Sequence, residues 1–278
     1  MKYSLAFSTC PNDTFIFDAI VNGRIAIGNW LFEVHLADIQ ELNQLALRSE
    51  VDVIKISFAL YPLISNKYQL LTAGAALGKG VGPLIISKRK IYPDEVPHAR
   101  IAIPGEHTTA NMLLTLAHPA ASQKYPYLFS SIEDAILGDE VDAGVIIHEN
   151  RFTYQKKGLK KIQDLGDYWE KLTGMPIPLG GIAIRRDLHD DTKSMANALV
   201  RRSVEFALAN PNASDGYVRS NAQTMEPEVM KNHIALYVNK FTVDVGKVGI
   251  NAVSTLFDRC IDIGYCQTAD IVQPIFVE

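Results

Sequence analysis

One local pattern occurs twice in this chain and restricts the folds that are open to it. Glu50-Val51-Asp52 follows a segment with apolar residues at helical spacing and leads into an apolar strand, and Glu140-Val141-Asp142 does the same. A helix that runs into a strand is the building unit of α/β folds. The repetition therefore predicts two similar α/β lobes.

Each of the two strands ends at a polar residue, Ser57 in the first copy and His148 in the second. In an open α/β sheet, ligands bind outside the carboxyl ends of the strands, so both side chains are candidates for a site. Histidine titrates nearest to neutral pH, which suits His148 to accept a proton. A histidine here can equally cap a helix or fill a hydrogen-bonded core position, and the strand pattern by itself leaves this open.

The first strand–turn–helix unit has a turn rich in hydroxyl and amide side chains. Residues 2–7 form a strand pattern, and Ser8 to Asp13 lead into a helix over 14–21. We expect Asn12 or Asp13 to be the N-cap. Such a turn directs backbone N–H groups at whatever lies beside it, which makes Ser8 and Asn12 candidate ligand contacts, although many turns of this kind are plain loops.

A second polar turn, at residues 104–111, precedes a helix predicted at 112–117. Thr108 or Thr109 is the expected N-cap. A helix N-terminus readily holds a carboxylate, because its first N–H groups lack intrahelical acceptors and carry partial positive charge. The sequence therefore predicts an anion-binding turn here.

Lys55 is unusual because it lies in an otherwise apolar strand over residues 51–57. A buried ammonium is unfavourable unless it meets an anion, which favours a position facing a polar cleft. A lysine that reaches solvent from a sheet edge is the alternative. The glycine-rich segment 73–83 is not a phosphate loop, since no Gly-Lys followed by Ser or Thr opens a helix there.

The polar and proline-bearing segments at 88–98 and 176–184 are the expected crossings between the lobes. They divide the chain into a larger lobe of residues 1–98 plus 185–278 and a smaller inserted lobe of residues 99–184. Helices are predicted over most of the C-terminal part, at 191–209, 211–221, 226–236 and 245–260. Two lobes joined by two crossings can close on a ligand held between them.

Composition narrows the classes of function. The formal net charge of −4 over 278 residues argues against nucleic acid as the main partner. No apolar run approaches the length of a membrane span, and the N-terminus has no signal-peptide pattern, so a cytoplasmic location is expected. Three cysteines at irregular spacing predict neither a disulfide framework nor a metal site. We expect a cytoplasmic protein without a metal.

Five motifs in this order resemble the menaquinone-biosynthesis family of the futalosine route. They are Ser-Thr-Cys-Pro-Asn-Asp-Thr-Phe-Ile-Phe (8–17), Val-Ile-Lys-Ile-Ser (53–57), Gly-Val-Gly-Pro (80–83), Pro-Gly-Glu-His-Thr-Thr-Ala-Asn (104–111) and Asp-Ala-Gly-Val-Ile-Ile-His-Glu (142–149). Within that family, the chain is most similar to the enzymes that act on cyclic dehypoxanthine futalosine. Each motif alone is weak, but the five together are specific and are spread over the first two thirds of the chain.

The resemblance implies a periplasmic-binding-protein-like α/β fold of type II, with two lobes and a ligand cleft between them. It also implies a cytoplasmic, cofactor-independent lyase that aromatises a polycyclic, carboxylate-bearing precursor to a dihydroxynaphthoate while the leftover sugar carbons depart. The family's catalytic base falls on His148. Its substrate-contacting residues fall on Lys55, Ile56 and Ser57 and on Thr108, Thr109 and Ala110.

Two other functions compete with the lyase. One is a non-catalytic protein of the same fold that binds a small carboxylate, for which His148 is only a hydrogen-bonding contact. The other is the sister enzyme chorismate dehydratase, which is not expected to carry the Ile-His-Glu sequence at residues 147–149. The histidine at the strand end favours the lyase over both of these functions.

Overall fold

The computed structural model describes residues 2–148, 150–222 and 226–277. The strands are β1 (Lys2–Ser8), β2 (Leu31–Ala37), β3 (Val53–Ser57), β4 (Tyr68–Leu70), β5 (Ala76–Gly78), β6 (Leu84–Ser87), β7 (Ile101–Ile103), β8 (Lys124–Pro126), β9 (Ala143–Ile146), β10 (Lys160–Asp164) and β11 (Ile177–Arg185). The helices are α1 (Pro11–Val21), α2 (Ile39–Arg48), α3 (Tyr61–Ile64), α4 (Thr109–Ala117), α5 (Ile132–Leu137), α6 (Asn150–Thr153), α7 (Leu165–Thr173), α8 (Asp190–Ala209), α9 (Asp215–Asn221), α10 (Pro227–Tyr237), α11 (Lys240–Val243) and α12 (Gly246–Asp262).

The strands form two mixed sheets. The first has the order β2-β1-β3-β11-β4, and β5 also pairs with β11. The second has the order β10-β6-β9-β7-β8. In the first sheet β1 runs parallel to β2 and β3, and in the second β7 runs parallel to β8 and β9. β3 is buried along its whole length, as expected of a central strand covered on both faces.

The predicted repeat is present in both sheets. The Asp52 carboxylate, just before β3, accepts a hydrogen bond of 2.8 Å from the backbone N–H of Ser4 in β1. The Asp142 carboxylate, just before β9, accepts one of 2.8 Å from the backbone N–H of Arg100, just before β7. Each aspartate therefore fixes the start of its strand against the parallel neighbour, which gives the aspartate of the triplet the same role at both positions.

The chain changes sheets earlier than the predicted crossings. β6 already pairs with β9 in the second sheet, and β11 already pairs with β3 in the first. The passages between sheets therefore precede residues 84 and 177, rather than occupying 88–98 and 176–184. Antiparallel pairing with a distant strand leaves no local trace in composition, whereas charge and proline in 88–98 do indicate a surface segment. The lobe limits 1–98 plus 185–278 and 99–184 stay a prediction.

The two polar turns differ in how they start their helices. α1 begins at Pro11 with Cys10 as its N-cap, so the prediction of Asn12 or Asp13 as N-cap was wrong. Proline is favoured at the first helical position because the N–H that it lacks would have no intrahelical acceptor. At α4 the prediction was right, since the Thr108 hydroxyl accepts a hydrogen bond of 3.2 Å from the backbone N–H of Asn111.

The C-terminal part is helical as predicted, with α8, α9, α10 and α12 at the expected places. α1 packs against α8, α9 and α10, so the last third of the chain covers the helix that follows the first strand. Within the described ranges, every helix is too short or too polar to span a bilayer.

Candidate active site

A cleft opens where the two sheets and their connecting turns meet, and with the open space at its mouth it measures about 640 Å³. The turn between β1 and α1 and the end of β3 form one side. The N-terminus of α4 and the turn after β9 form the other. The lining residues are Ser8, Asn12, Asp13, Ile39, Lys55, Ser57, Ala76, Val81, Pro83, Thr108, Thr109, Ala110, Ile147, His148, Leu179, Gly180 and Tyr237.

With one exception, the residues predicted from sequence meet in this cleft. The exception is Ile56, whose side chain is fully buried and does not line the cleft. Successive side chains of a strand point to opposite faces, so Lys55 and Ser57 face the cleft while Ile56 points into the core. The roles of all these residues in binding stay predictions.

His148 lies in the turn that follows β9 and has a left-handed backbone, with φ of +57°. Its ring contacts the Phe129 ring edge-on at 5.0 Å between centroids. Its Nε2 is buried and has no hydrogen-bond partner among the residues that the structure describes. Glu149, which ends the motif predicted from sequence, lies outside the described residues.

The surroundings of His148 keep the imidazole neutral. Burial lowers the pKa of His148 to about 4; the Asp13 carboxylate opposes this shift and the Lys55 ammonium adds to it. A histidine that lines a cleft, is neutral near pH 7 and has an unpaired ring nitrogen can accept a proton from a bound molecule.

Asp13 and Lys55 form a buried ion pair at the base of the cleft. The Lys55 Nζ lies 2.8 Å from Asp13 Oδ1, and the two residues are only 5% and 1% exposed. Asp13 Oδ2 accepts a hydrogen bond of 2.7 Å from the Ser8 hydroxyl, and Oδ1 accepts one of 2.8 Å from the Asn12 amide. The anion that Lys55 was expected to meet is therefore part of the protein.

Ser57 is held by Asn43, a residue that the sequence did not single out. The Ser57 backbone N–H donates to Asn43 Oδ1 at 3.0 Å, and the Asn43 amide donates to the Ser57 hydroxyl at 3.1 Å. Asn43 is fully buried on α2. The sequence signal that could have identified Asn43 was an amide among the apolar residues of an amphipathic helix.

The N-terminus of α4 enters the cleft through Thr108, Thr109 and Ala110. The Thr109 hydroxyl donates to the Leu179 carbonyl at 2.7 Å and accepts from the Ala59 backbone N–H at 3.2 Å. Thr109 thereby joins α4 to β11 and to the segment after β3. Because this hydroxyl is engaged within the protein, the anion-binding capacity of the turn rests on the first N–H groups of α4.

His233 on α10 was missed by the sequence reasoning, which identified the helix but no motif within it. Its side chain is fully buried, and its Nε2 lies 2.8 Å from Asn12 Oδ1. The ring is stacked on that of His148 at 5.9 Å between centroids and 17° between planes. The site therefore contains two histidines, of which His148 lines the cleft.

Potential metal ligands are not grouped in the described ranges: no cluster of three or more His, Cys, Asp or Glu side chains is placed to hold an ion there. Cys10, Cys260 and Cys266 are all buried, and none of them forms a disulfide within the described ranges. The prediction that the protein works without metal or organic cofactor is left for experiment.

Solved structures with the same architecture define the class of fold. The alkanesulfonate-binding protein of Xanthomonas axonopodis pv. citri superposes with a TM-score of 0.71 at 10% identity, covering 99% of this chain and 97% of its own. A Candida albicans protein described as having the generic periplasmic binding protein fold gives a TM-score of 0.71 at 14% identity, covering 100% of this chain and 98% of its own. The protein is therefore of the periplasmic-binding-protein-like class, as the resemblance implied.

Sequence comparison then gives the family. The chain belongs to the family described as menaquinone biosynthesis, whose model matches residues 3–262. It is 42% identical over 273 residues to a 1,4-dihydroxy-6-naphthoate synthase of Thermus thermophilus, covering 98% of each chain. A protein of the same name from Streptomyces coelicolor is 42% identical over 260 residues, covering 92% of this chain and 91% of its own. A crystal structure from Archaeoglobus fulgidus gives a TM-score of 0.90 at 34% identity, covering 95% of this chain and 98% of its own.

Proposed function

We propose that this protein is a lyase that converts cyclic dehypoxanthine futalosine to 1,4-dihydroxy-6-naphthoate in menaquinone biosynthesis. Two relatives named for that product match nearly the whole chain at 42% identity. The structural observation that carries the proposal is that His148 Nε2 has no hydrogen-bond partner among the described residues and lies in a cleft that also contains a helix N-terminus. The His148 imidazole can accept a proton there, and the helix N-terminus can hold a carboxylate.

In this mechanism the substrate carboxylate binds at the N-terminus of α4. The first N–H groups of the helix and its macrodipole favour an anion at that point. Lys55 is a poorer anchor for the carboxylate, because the Asp13 carboxylate already neutralises its ammonium. The substrate is thereby oriented with its sugar-derived ring toward His148.

His148 then removes a proton from the sugar-derived ring. The electron pair of the broken C–H bond forms a new double bond, and the bond to the departing group breaks with its electrons leaving on that group. Aromatisation of the naphthoate ring favours this direction. Because burial lowers the pKa of His148 to about 4, its imidazole is a weaker base than a histidine in water, and the mechanism relies on the fixed geometry of the base and the substrate in the cleft.

The two other functions considered from the sequence would each give a distinct outcome in a direct assay. A small-carboxylate-binding protein of the same fold would bind the substrate without turnover. A chorismate dehydratase would consume chorismate instead. The location in the cytoplasm and the absence of nucleic-acid partners stay predictions.

The test is to incubate the purified protein with cyclic dehypoxanthine futalosine after dialysis against a chelator, and to follow the naphthoate absorbance. His148→Gln should lower turnover by roughly 10²–10⁴-fold with little change in substrate binding. His118→Gln is the control, because His118 is a buried histidine whose Nε2 lies 2.7 Å from Gln163 Oε1 and which does not line the cleft. Binding of the substrate without product in the wild-type protein would contradict the proposal.

A further inference from the structure

The second histidine of the site is connected to its ion pair. Lys55 donates to Asp13, Asn12 donates to the same carboxylate oxygen, and His233 Nε2 contacts the carbonyl oxygen of the Asn12 amide, each at 2.8 Å. The chain of contacts thus runs from the charged pair at the base of the cleft to a fully buried imidazole on α10.

The direction of these hydrogen bonds fixes the tautomer of His233. An ionised carboxylate only accepts, so the Asn12 amide nitrogen must face Asp13 and its carbonyl oxygen must face His233. A carbonyl oxygen only accepts, so His233 Nε2 must carry the hydrogen. A neutral His233 is therefore the Nε2–H form, with the unprotonated nitrogen at Nδ1.

Packing places the His233 ring against the ring of His148, the proposed proton acceptor. The planes of His233 and His148 are only 17° from parallel at 5.9 Å, and Phe129 contacts the His148 ring from another side at 5.0 Å. Tyr237, one helical turn further along α10, contacts the His233 ring at 4.6 Å. The orientation of the His148 ring is thus determined by an aromatic edge and by an imidazole whose own position depends on Asn12.

We infer that His233 is a positioning residue for His148: anchored by Asn12 as the neutral Nε2–H tautomer, it holds the His148 ring in the orientation that proton abstraction needs. This inference rests on the proposed function for the role of His148. Among the described residues, Asp13 and Lys55 act electrostatically on the pair, and the titratable Tyr237 contacts the His233 ring. Burial, His148 and Lys55 all lower the pKa of His233.

The first experiment needs no substrate and measures the tautomer. In protein labelled with ¹⁵N in the histidine rings, His233 should give the pattern of a neutral Nε2–H ring that does not titrate through the neutral range. Asn12→Ala should remove that pattern, while the signals of His118 stay unchanged. A protonated His233, or a neutral ring with its hydrogen on Nδ1, would overturn the inference even if the lyase activity is present.

The second experiment separates positioning from packing. His233→Phe keeps a ring but cannot bond to Asn12, and His233→Gln keeps a donor for Asn12 but has no ring. Both should lower kcat by roughly 10- to 100-fold with KM changed by less than about threefold, because a small displacement of the base impairs the chemical step more than binding. His118→Phe, a buried substitution remote from the cleft, should leave both constants near their wild-type values.

The outcomes keep the two proposals apart. A wild-type protein that makes no naphthoate contradicts the proposed function, whereas the tautomer measurement still tests the arrangement of His233. A wild-type kcat in His233→Phe, counted per folded protein, would show that the ring only fills space. If His233→Phe does not fold, a wild-type kcat in His233→Gln would overturn the inference in its place.

Discussion

Lys55 Nζ and Asp13 Oδ1 lie 2.8 Å apart beneath the cleft, and both side chains are almost completely removed from solvent. Burying two charges is unfavourable unless each is paired and hydrogen-bonded, and here the carboxylate also accepts from Ser8 and Asn12. The pair fixes the turn before α1 against the central strand β3. The pair thereby sets the position of Asn12, which is bonded to the His233 ring that is stacked on His148.

Removing one partner of this ion pair should destabilise the protein more than removing both partners. Lys55→Met leaves a buried carboxylate without its cation and should lower the free energy of unfolding by about 3–5 kcal/mol. The double substitution Lys55→Met with Asp13→Asn should recover part of this loss. Urea unfolding of the wild type, both single variants and the double variant gives the coupling energy, and equal destabilisation in Lys55→Met and the double variant would speak against a tight pair.

The depressed pKa of His148 makes the folded protein sensitive to acid. The unfolded chain binds a proton at this site below its ordinary pKa of 6.5, whereas the folded protein binds it only near pH 4. The free energy of unfolding should therefore fall as the pH is lowered from 6.5 to 4. At 1.36 kcal/mol per pH unit, the contribution of His148 to this fall is about 3 kcal/mol. His148→Gln should lack that component of the decline. His35→Gln, at an exposed position, should keep it, and identical pH profiles for all three proteins would contradict the shift.

Asn43 should matter for stability and for substrate affinity. Asn43→Ala removes both bonds to Ser57 and leaves a buried backbone N–H without its acceptor, which should reduce the free energy of unfolding by about 1–3 kcal/mol. Without Asn43 the Ser57 hydroxyl is no longer held in place beside the substrate, so KM should also rise. Asn212→Ala, at an exposed position, serves as the control and should change neither quantity; thermal unfolding and initial-rate kinetics measure both.

Two glycines meet where the chain enters the second sheet. A Cβ built on Gly82 would lie 2.2 Å from the Gly166 Cα, a backbone atom that cannot move aside cheaply. Gly82→Ala should therefore destabilise the protein by about 1–3 kcal/mol or more. Gly216→Ala is the control, because its Cβ would meet nothing within 4 Å on helix α9, and it should stabilise by up to about 1 kcal/mol. Equal melting temperatures for the two variants would refute the close approach.

Much of the candidate site was predictable because its residues follow local rules. Ser57 and His148 were expected at strand ends because an apolar run gives way to polar residues there, and Thr108 was expected as an N-cap from its place before a helix. The repeated Glu-Val-Asp triplet was readable for the same reason. Asn12 was mistaken for a cap because proline had already begun the helix at Pro11.

The sequence by itself determined most of the longer helices and strands, the doubling of the α/β unit and the residues that gather at the strand ends, because these depend on periodicity, turn chemistry and capping over a few positions. Only the tertiary structure decided that β6 joins the second sheet, that Asp13 is the partner of Lys55, and that His233 is stacked on His148. These contacts join residues that are far apart in the chain. Their free energy comes from burial and pairing in three dimensions, which no local pattern records.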